Sequence, residues 1–343
     1  MEHCGIDVHS KSSEVAVVDE RGERWDRARI STTEPSLRRW FGGRAPMVFC
    51  LEAGGQSVWV ARILTSLGHD VVVANPARVR LIAEATLKND QVDAETLARL
   101  VRADRRLLCP IIHRSADTQR QRGVLRARRT LVNARTACLN TSRGILRSFG
   151  FRTPSRTAER LAACLADSRM PEALVAVVAP LVQLALELDA KIAALDAEVE
   201  TMGEAYPEVA LLRTIPGVGP LVGLAFVLCI EDPSRFKRSR DVAGYLGLRP
   251  TMRESGSTSR YGRITHQGDT EMRRLLVQAA HGVLRSRAES DLKQWTQGLV
   301  ARVGKKKAVV ALARKLAVVM HTMWVQGEPF RPFRDTIDVD VAA

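Results

Sequence analysis

The sequence predicts an α/β layered domain at the start of the chain, a long helical coiled-coil connector, and a mainly α-helical domain with a helix-hairpin-helix-like element at the end. Three observations predict it. Short β-rich runs crowd the beginning and then alternate with helical periods, which is the signature of strands layered against helices. The stretch Arg114–Arg152 carries ten arginines and a single acid, Asp117, with apolar residues at near-helical spacing. From Leu211 the chain turns strongly apolar, broken by the turn PGVGP. At 343 residues it also exceeds the size at which one hydrophobic core keeps growing. The domain boundaries are expected at 1–112, 113–205 and 206–343.

From Cys4 to Asp19 two β-rich runs flank a polar turn, and a third run follows the ERGE turn near Arg24. Met47–Gly54 then reads as a buried-type strand. Val58–Gly68 is a helix ended by glycine, His69–Pro76 a further buried strand, and a helix from about Ala94 to Ala103 closes the domain. Arg114–Arg152 predicts a long basic helix in which Val124, Leu125, Leu131, Val132, Leu139, Ile145 and Leu146 supply the apolar stripe. A second long helix, from about Glu172 to Met202, ends acidic, so the two can pair as an antiparallel arm. Further on, LLRTIPGVGPLVGLAFVLCIED predicts two helices about a turn, with Gly217 and Gly219 placed to let the backbone approach a phosphate. The run GKKKAVVALARKLAVVMHTMWVQG predicts an amphipathic final helix whose basic cluster is Lys305–Lys307.

Lys and Arg number 52 against 38 Asp and Glu, a formal charge of +14, and this favours a polyanionic partner, nucleic acid before membrane. On the basic helix, Arg126, Arg128, Arg129 and Arg135 are the candidate contacts to it. The six cysteines form no CxxC pair and have no nearby His pair, which indicates neither a zinc site nor a disulfide framework. No basic-then-apolar signal pattern opens the chain, and no uninterrupted apolar run approaches membrane-spanning length. A cytosolic protein without membrane contact is expected.

Four acids stand where an apolar background makes them costly or well positioned. Asp7 interrupts the first strand, Glu52 ends the strand before the glycine-terminated helix, and Asp90 with Asp93 opens the helix of KNDQVDAETLARL. Carboxylates at strand ends and a helix start can converge on hard divalent cations such as Mg²⁺, and a pair of such ions can clamp the attacking and leaving oxygens of a phosphodiester. Taken in isolation, Asp90 and Asp93 read first as first-turn acids that complement the helix dipole, and Glu52 can be a solvent-facing strand end. Asp7 pays a desolvation cost unless paired or metal-bound.

The order of an Asp in the first strand, a Glu ending a later strand, and K-N-D-x-x-D-A on a helix resembles the RuvC-like domain of the DEDD-type insertion-sequence transposases, the family numbered one-ten among insertion sequences. The resemblance continues through ARLVRADRRLLCP and the RARRTLVNARTACLNTSRGILRSFG helix, then through LLRTIPGVGP, DVAGYLGLRP, RESG, GRITHQGD and MRRLLVQAA. It implies a ribonuclease-H-like first domain and a metal site of Asp7, Glu52, Asp90 and Asp93 holding Mg²⁺ or Mn²⁺. It also implies a serine nucleophile, Ser255, in the RESG match. Arg253, Arg260 and Arg263 would face the developing negative charge. Taken without the family, RESGSTSRYG reads as a flexible loop with three candidate serines, Ser255, Ser257 and Ser259. Many relatives have Ser-Lys where this chain has Thr265 and His266, so His266 stays outside the catalytic set.

What the resemblance implies is a transposase and site-specific recombinase that cuts and exchanges DNA strands through Ser255. A structured guide RNA would pair with element end and target, and a dimer or tetramer would join one subunit's acids to another's serine. The alternative is a RuvC-like junction-resolving endonuclease that uses water and does not need Ser255. A pure binding or assembly protein would not need the acids. A sugar-kinase-like ATPase would show glycine-rich phosphate loops in both halves.

Overall fold

In the computed structural model the described residues are 1–76, 79, 90–153, 157–166, 170–255 and 258–333, with backbone alone at 90, 91, 253–255 and 258–261. The chain divides into two units, Met1–Arg114 and Ser115–Ala343, so the long basic helix belongs with the second.

In the first unit β1 (His3–Val8), β2 (Ser12–Val18) and β3 (Arg24–Ser31) form an antiparallel meander. Helix α1 (Glu34–Phe41) follows, with a proline in its first turn. Then come β4 (Val48–Glu52), α2 (Ser57–Ser66), β5 (Asp70–Ala74) and, beyond the undescribed stretch, α3 (Asp90–Ala103). β4 and β5 join parallel to β1, giving a five-stranded sheet in the order β3-β2-β1-β4-β5.

Alternation along the strands divides the core between the two faces of the sheet. Ile6, Val15, Phe49 and Leu51 pack with Leu37 and Phe41 of α1 and Val60 and Leu64 of α2. On the opposite face Val48, Cys50, Val72 and Ala74 pack with Leu97 and Val101 of α3. Gly5 is what lets α3 lie this close, because a Cβ there would stand 1.9 Å from the Ala94 carbonyl oxygen and 2.6 Å from the Ala98 nitrogen.

The second unit opens with α4 (Ala116–Ser148), capped by Ser115, whose Oγ accepts from the Thr118 amide at 3.0 Å. The short α5 (Ala158–Leu165) and the long α6 (Glu172–Glu204) follow. The two long helices run antiparallel, as the pairing of Arg128 with Asp196 and of Arg135 with Asp189 shows. Leu139 and Leu146 pack with Leu161, Val178 and Val182 in the arm. Beyond it come α7 (Pro207–Leu212), α8 (Pro220–Ile230), α9 (Arg240–Tyr245), β6 (Pro250–Ser255) with β7 (Thr258–Ile264), α10 (Thr270–Arg285), α11 (Asp291–Val303) and α12 (Lys305–Gln326). Their common core holds Leu212, Phe226, Leu246, Leu275 and Leu316.

By length and composition alone α6 and α12 are long and apolar enough to cross a membrane, although Gln183, Glu187 and Asp189 interrupt the apolar run of α6 and Arg314 and Lys315 that of α12. The physical reason for their apolarity differs. Leu312, Leu316 and Met320 place α12 in the core of the unit. The apolar residues of α6 are shared between the contact with α4 and an outer face where Val177 and Leu184 are exposed.

Candidate active site

Asp7 and Glu52 end neighbouring parallel strands, each one step beyond the register pair Ile6–Leu51. Ile6 and Leu51 point into the core beneath α1 and α2, so the two acids point to the other face, where α3 lies. Backbones of adjacent strands are about 4.8 Å apart, so the two carboxylates share one end of the sheet. Asp7 is half-buried, and His9 Nε2 stands 3.0 Å from its Oδ2. Glu52 is exposed. Burial first, and then the Glu52 charge, push the Cys50 thiol up to about 12, so it is inert.

Helix α3 runs antiparallel to β1. Its last turn sits beside the β2–β3 turn, where Arg102 Nη1 donates to the Glu20 carbonyl at 3.2 Å, and its middle meets Gly5. Its first turn, with Asp90 and Asp93, therefore extends toward the end of the sheet that holds Asp7 and Glu52. Asp93 is exposed, and the Asp90 side chain lies outside the described residues. Among the described residues no three acid, imidazole or thiol groups converge closely enough to hold an ion. The donor set, carboxylate oxygens on a half-exposed sheet end, is chemically suited to a hard divalent cation.

Sequence alone does not single out Glu14 of β2. It lies directly opposite Asp7 in the ladder, is buried, and has Arg29 Nε at 3.5 Å. The available signal was the same as for Asp7, an acid inside an otherwise apolar strand.

In the second unit Ser255 closes β6 and is paired in register with Thr258, the first residue of β7. The Arg253–Ser255 part of RESG is thus the end of a hairpin strand. Arg253 and Arg260 oppose each other across that hairpin, and Ser259 opposes Glu254. The side chains of Ser255, Ser259, Arg253 and Arg260, and the whole of Ser257, lie outside the described residues; Arg263 is exposed.

The base of the hairpin is tightly built. A Cβ at Gly247 (φ +69°) would lie 1.9 Å from the Gln267 carbonyl oxygen, and one at Gly268 (φ +82°) 2.1 Å from that of Tyr245. Buried Arg273 staples the two segments, donating to the carbonyls of Leu246 (3.1 Å) and Gln267 (2.7 Å) and to Thr270 Oγ1 (2.9 Å). Nothing in MRRLL distinguishes this arginine from a surface one. His266, exposed at φ +56°, belongs to the same bend.

Asp269 caps α10 by accepting from the Met272 amide at 2.9 Å and pairs with Arg122 of α4. Beside it, Arg129 Nη1 is 3.0 Å from Glu271, whose carboxyl is raised by burial, against the pull of Arg129. Of the arginines proposed for nucleic acid, Arg128, Arg129 and Arg135 are thus in ion pairs within the unit, whereas Arg126 is exposed and forms no ion pair with a described residue. Gly217 (φ +91°) is pressed against α10, where a Cβ would meet the Val283 nitrogen at 2.6 Å, while Gly219 faces open space.

Comparison with known proteins gives two profile matches, one of which crosses from the first unit through α4 of the second. The profile of the Transposase IS116/IS110/IS902 family matches residues 209–296, and a second profile, described as Transposase, matches residues 4–151. The chain is 28% identical to the Probable family 20 transposase of Pseudomonas aeruginosa over 97% of this chain and 99% of that protein. It is 31% identical to the Putative transposase y4pF/y4sB of Sinorhizobium fredii over 89% of this chain and 79% of the relative. It is 28% identical to the transposase for insertion sequence element IS1111A of Coxiella burnetii, over 95% and 90%.

Proposed function

The chain belongs to the IS116/IS110/IS902 family of transposases, and from that premise we propose how it acts: the carboxylates of a RuvC-like first unit and Ser255 of the second carry out strand exchange on DNA. The protein is an enzyme that cuts and rejoins DNA. The observation that supports the reading is that Asp7 and Glu52 end adjacent parallel strands on the sheet face that α3 covers.

The family generally uses a divalent metal, and Asp7, Glu52, Asp90 and Asp93 would hold it here as Mg²⁺ or Mn²⁺. When bound, it supplies electrophilic polarisation of the phosphate. In the reaction proposed, Ser255 Oγ bonds to phosphorus and the bond from phosphorus to one deoxyribose oxygen breaks. That oxygen takes up the proton the serine gives up and leaves as a hydroxyl. Attack by a hydroxyl of another strand then reverses the exchange and frees the serine. Arg253, Arg260 and Arg263 neutralise the charge that develops on the phosphate. The hairpin base stapled by Arg273 holds the serine strand in place.

DNA runs along the basic face of α4 at Arg126, with Arg128, Arg129 and Arg135 beside it, and the turn Gly217–Gly219 meets backbone phosphate from its open side. A structured RNA is the second nucleic acid, a partner that the charge of +14 suits. Val177 and Leu184, exposed and seven residues apart on α6, suit an arm that joins a second copy of the chain.

The test incubates purified protein with Mg²⁺, labelled junction DNA of its own element and co-expressed RNA, and looks for DNA attached to protein on a denaturing gel. Wild type should give a covalent band that Ser255→Ala and Asp7→Asn both abolish. Cutting by wild type without such a band, and equally by Ser255→Ala, would replace this reading with a water-using nuclease.

A further inference from the structure

Glu14 is costly to keep. It sits within SSEVAVV at 7% exposure, and a buried carboxylate destabilises unless it is paired. It also faces Asp7 directly across an antiparallel pair, where like charges oppose one another. Its partner is Arg29 of β3, with Nε 3.5 Å away. Ser12 Oγ fixes the same guanidinium, accepting from Nε at 3.3 Å and from Nη2 at 3.1 Å.

Register places Arg29, Glu14 and Asp7 in one transverse row across β3, β2 and β1, and Glu52 continues the row on β4. All four point to the α3 face. The row thus begins with a cation, goes on with three acids and ends at Ala74 on β5. An arginine kept only to neutralise Glu14 would gain most by folding down over it. The Arg29 side chain is instead 71% exposed, so Glu14 and Ser12 grip one edge of the fork while the rest is presented to solvent.

We propose that Glu14 is a positioning residue that holds Arg29 as a clamp for a backbone phosphate of the DNA strand being cut. This rests on the reading of Asp7 and Glu52 as the place of the reacting phosphate. Two strand spacings put the backbones of Arg29 and Asp7 about 10 Å apart. Arg29 therefore meets a neighbouring phosphate and not the one that reacts, and the planar guanidinium matches phosphate oxygens in pairs.

The test measures binding of the full-length protein to a fluorescein-labelled duplex of its own element end by anisotropy, without metal, over a series of salt concentrations. Arg29→Gln should flatten the dependence of log K on log salt by about 0.9, one phosphate contact, and Arg29→Lys should restore most of it. Glu14→Gln removes a negative charge, so bulk electrostatics alone would tighten binding; the clamp requires it to weaken binding toward the level of Arg29→Gln. Tighter or unchanged binding by a folded Glu14→Gln overturns the proposal. So does an unchanged slope in Arg29→Gln, which decides the matter by itself if Glu14→Gln unfolds in a thermal melt. Asp7→Asn separates the two readings: cleavage that survives it sinks the metal site, while the clamp still stands or falls on the binding slopes.

Discussion

Arg273 has no acid beside it among its described contacts, and its charge is satisfied by two carbonyls and one hydroxyl. Replacement by Met keeps the volume and leaves the Leu246 and Gln267 carbonyls without their donor. The urea midpoint of the second unit should fall by the equivalent of about 2–4 kcal/mol at unchanged slope. Arg274→Ala, next in sequence but in a half-buried pair with Glu271, which keeps Arg129 as a partner, should cost less, about 1 kcal/mol. Equal effects would mean that the staple contributes nothing. His69 makes a prediction in pH. Its Nδ1 accepts from the Met47 amide, so Nε2 donates to the Phe41 carbonyl, and burial holds its pKa below the ordinary value. The unfolded chain then takes up the proton first as pH falls. The stability owed to neutral His69 is complete above about pH 6.5 and is lost as pH drops below that through the lowered value. Stability measured in urea should decline over this window, His3 and His113 adding in the same direction because burial lowers both. His69→Leu should flatten the decline; an unchanged decline would assign it elsewhere.

Among elements, the α7–turn–α8 hairpin separates two glycines that look alike in PGVGP. Gly217→Ala would force a left-handed φ on alanine and drive a Cβ into the α10 backbone, so it should cost roughly 2 kcal/mol or more. Gly219→Ala, at the N-terminal cap of α8 with open space around it, should change stability by less than about 1 kcal/mol. It should weaken DNA affinity if that side meets phosphate; a Gly219→Ala protein that binds DNA like wild type would leave the turn a purely structural one. The contrast shows where sequence reading stops, since a PGVGP turn is visible in the text but the helix pressed against one of its glycines is not. Long periodic elements were legible for the opposite reason. The apolar stripe of α4 and the buried runs of β4 and β5 record their own surroundings. The eight-residue α1, with a charged outer face, does not, nor does the short α5. The β6–β7 hairpin was missed because RESGSTSRYG has no apolar alternation, its strands being held by main-chain pairing. Among the acids, Asp7 was legible as an interruption of apolar text. The meaning of Glu14 depends on register, which decides that it faces Asp7 and Arg29.

For the molecule as a whole, the first unit buries its own core. Among the described residues the clusters around Phe49 and around Leu97 draw only on residues before Ser115, and a domain of this size is long enough to fold alone. Met1–Arg114 made as a separate fragment should therefore unfold in one cooperative step, with circular dichroism and the fluorescence of Trp25, Trp40 and Trp59 changing together. The fragment also isolates the carboxylates from Ser255 and from nucleic acid. Glu14, Asp7 and Glu52 stand side by side, and like charges opposed across strands are destabilising. Asp7→Asn should accordingly leave the metal-free fragment as stable as wild type or somewhat more so, unless the contact with His9 outweighs that repulsion. Added Mg²⁺ should raise the unfolding midpoint of the wild-type fragment with increasing concentration, because an ion bound only to the folded state stabilises it by mass action, and Asp7→Asn should remove the response. Loss of stability on Asp7→Asn together with an unaltered response to Mg²⁺ would make Asp7 a structural partner of His9 and move the search for the metal site away from this end of the sheet.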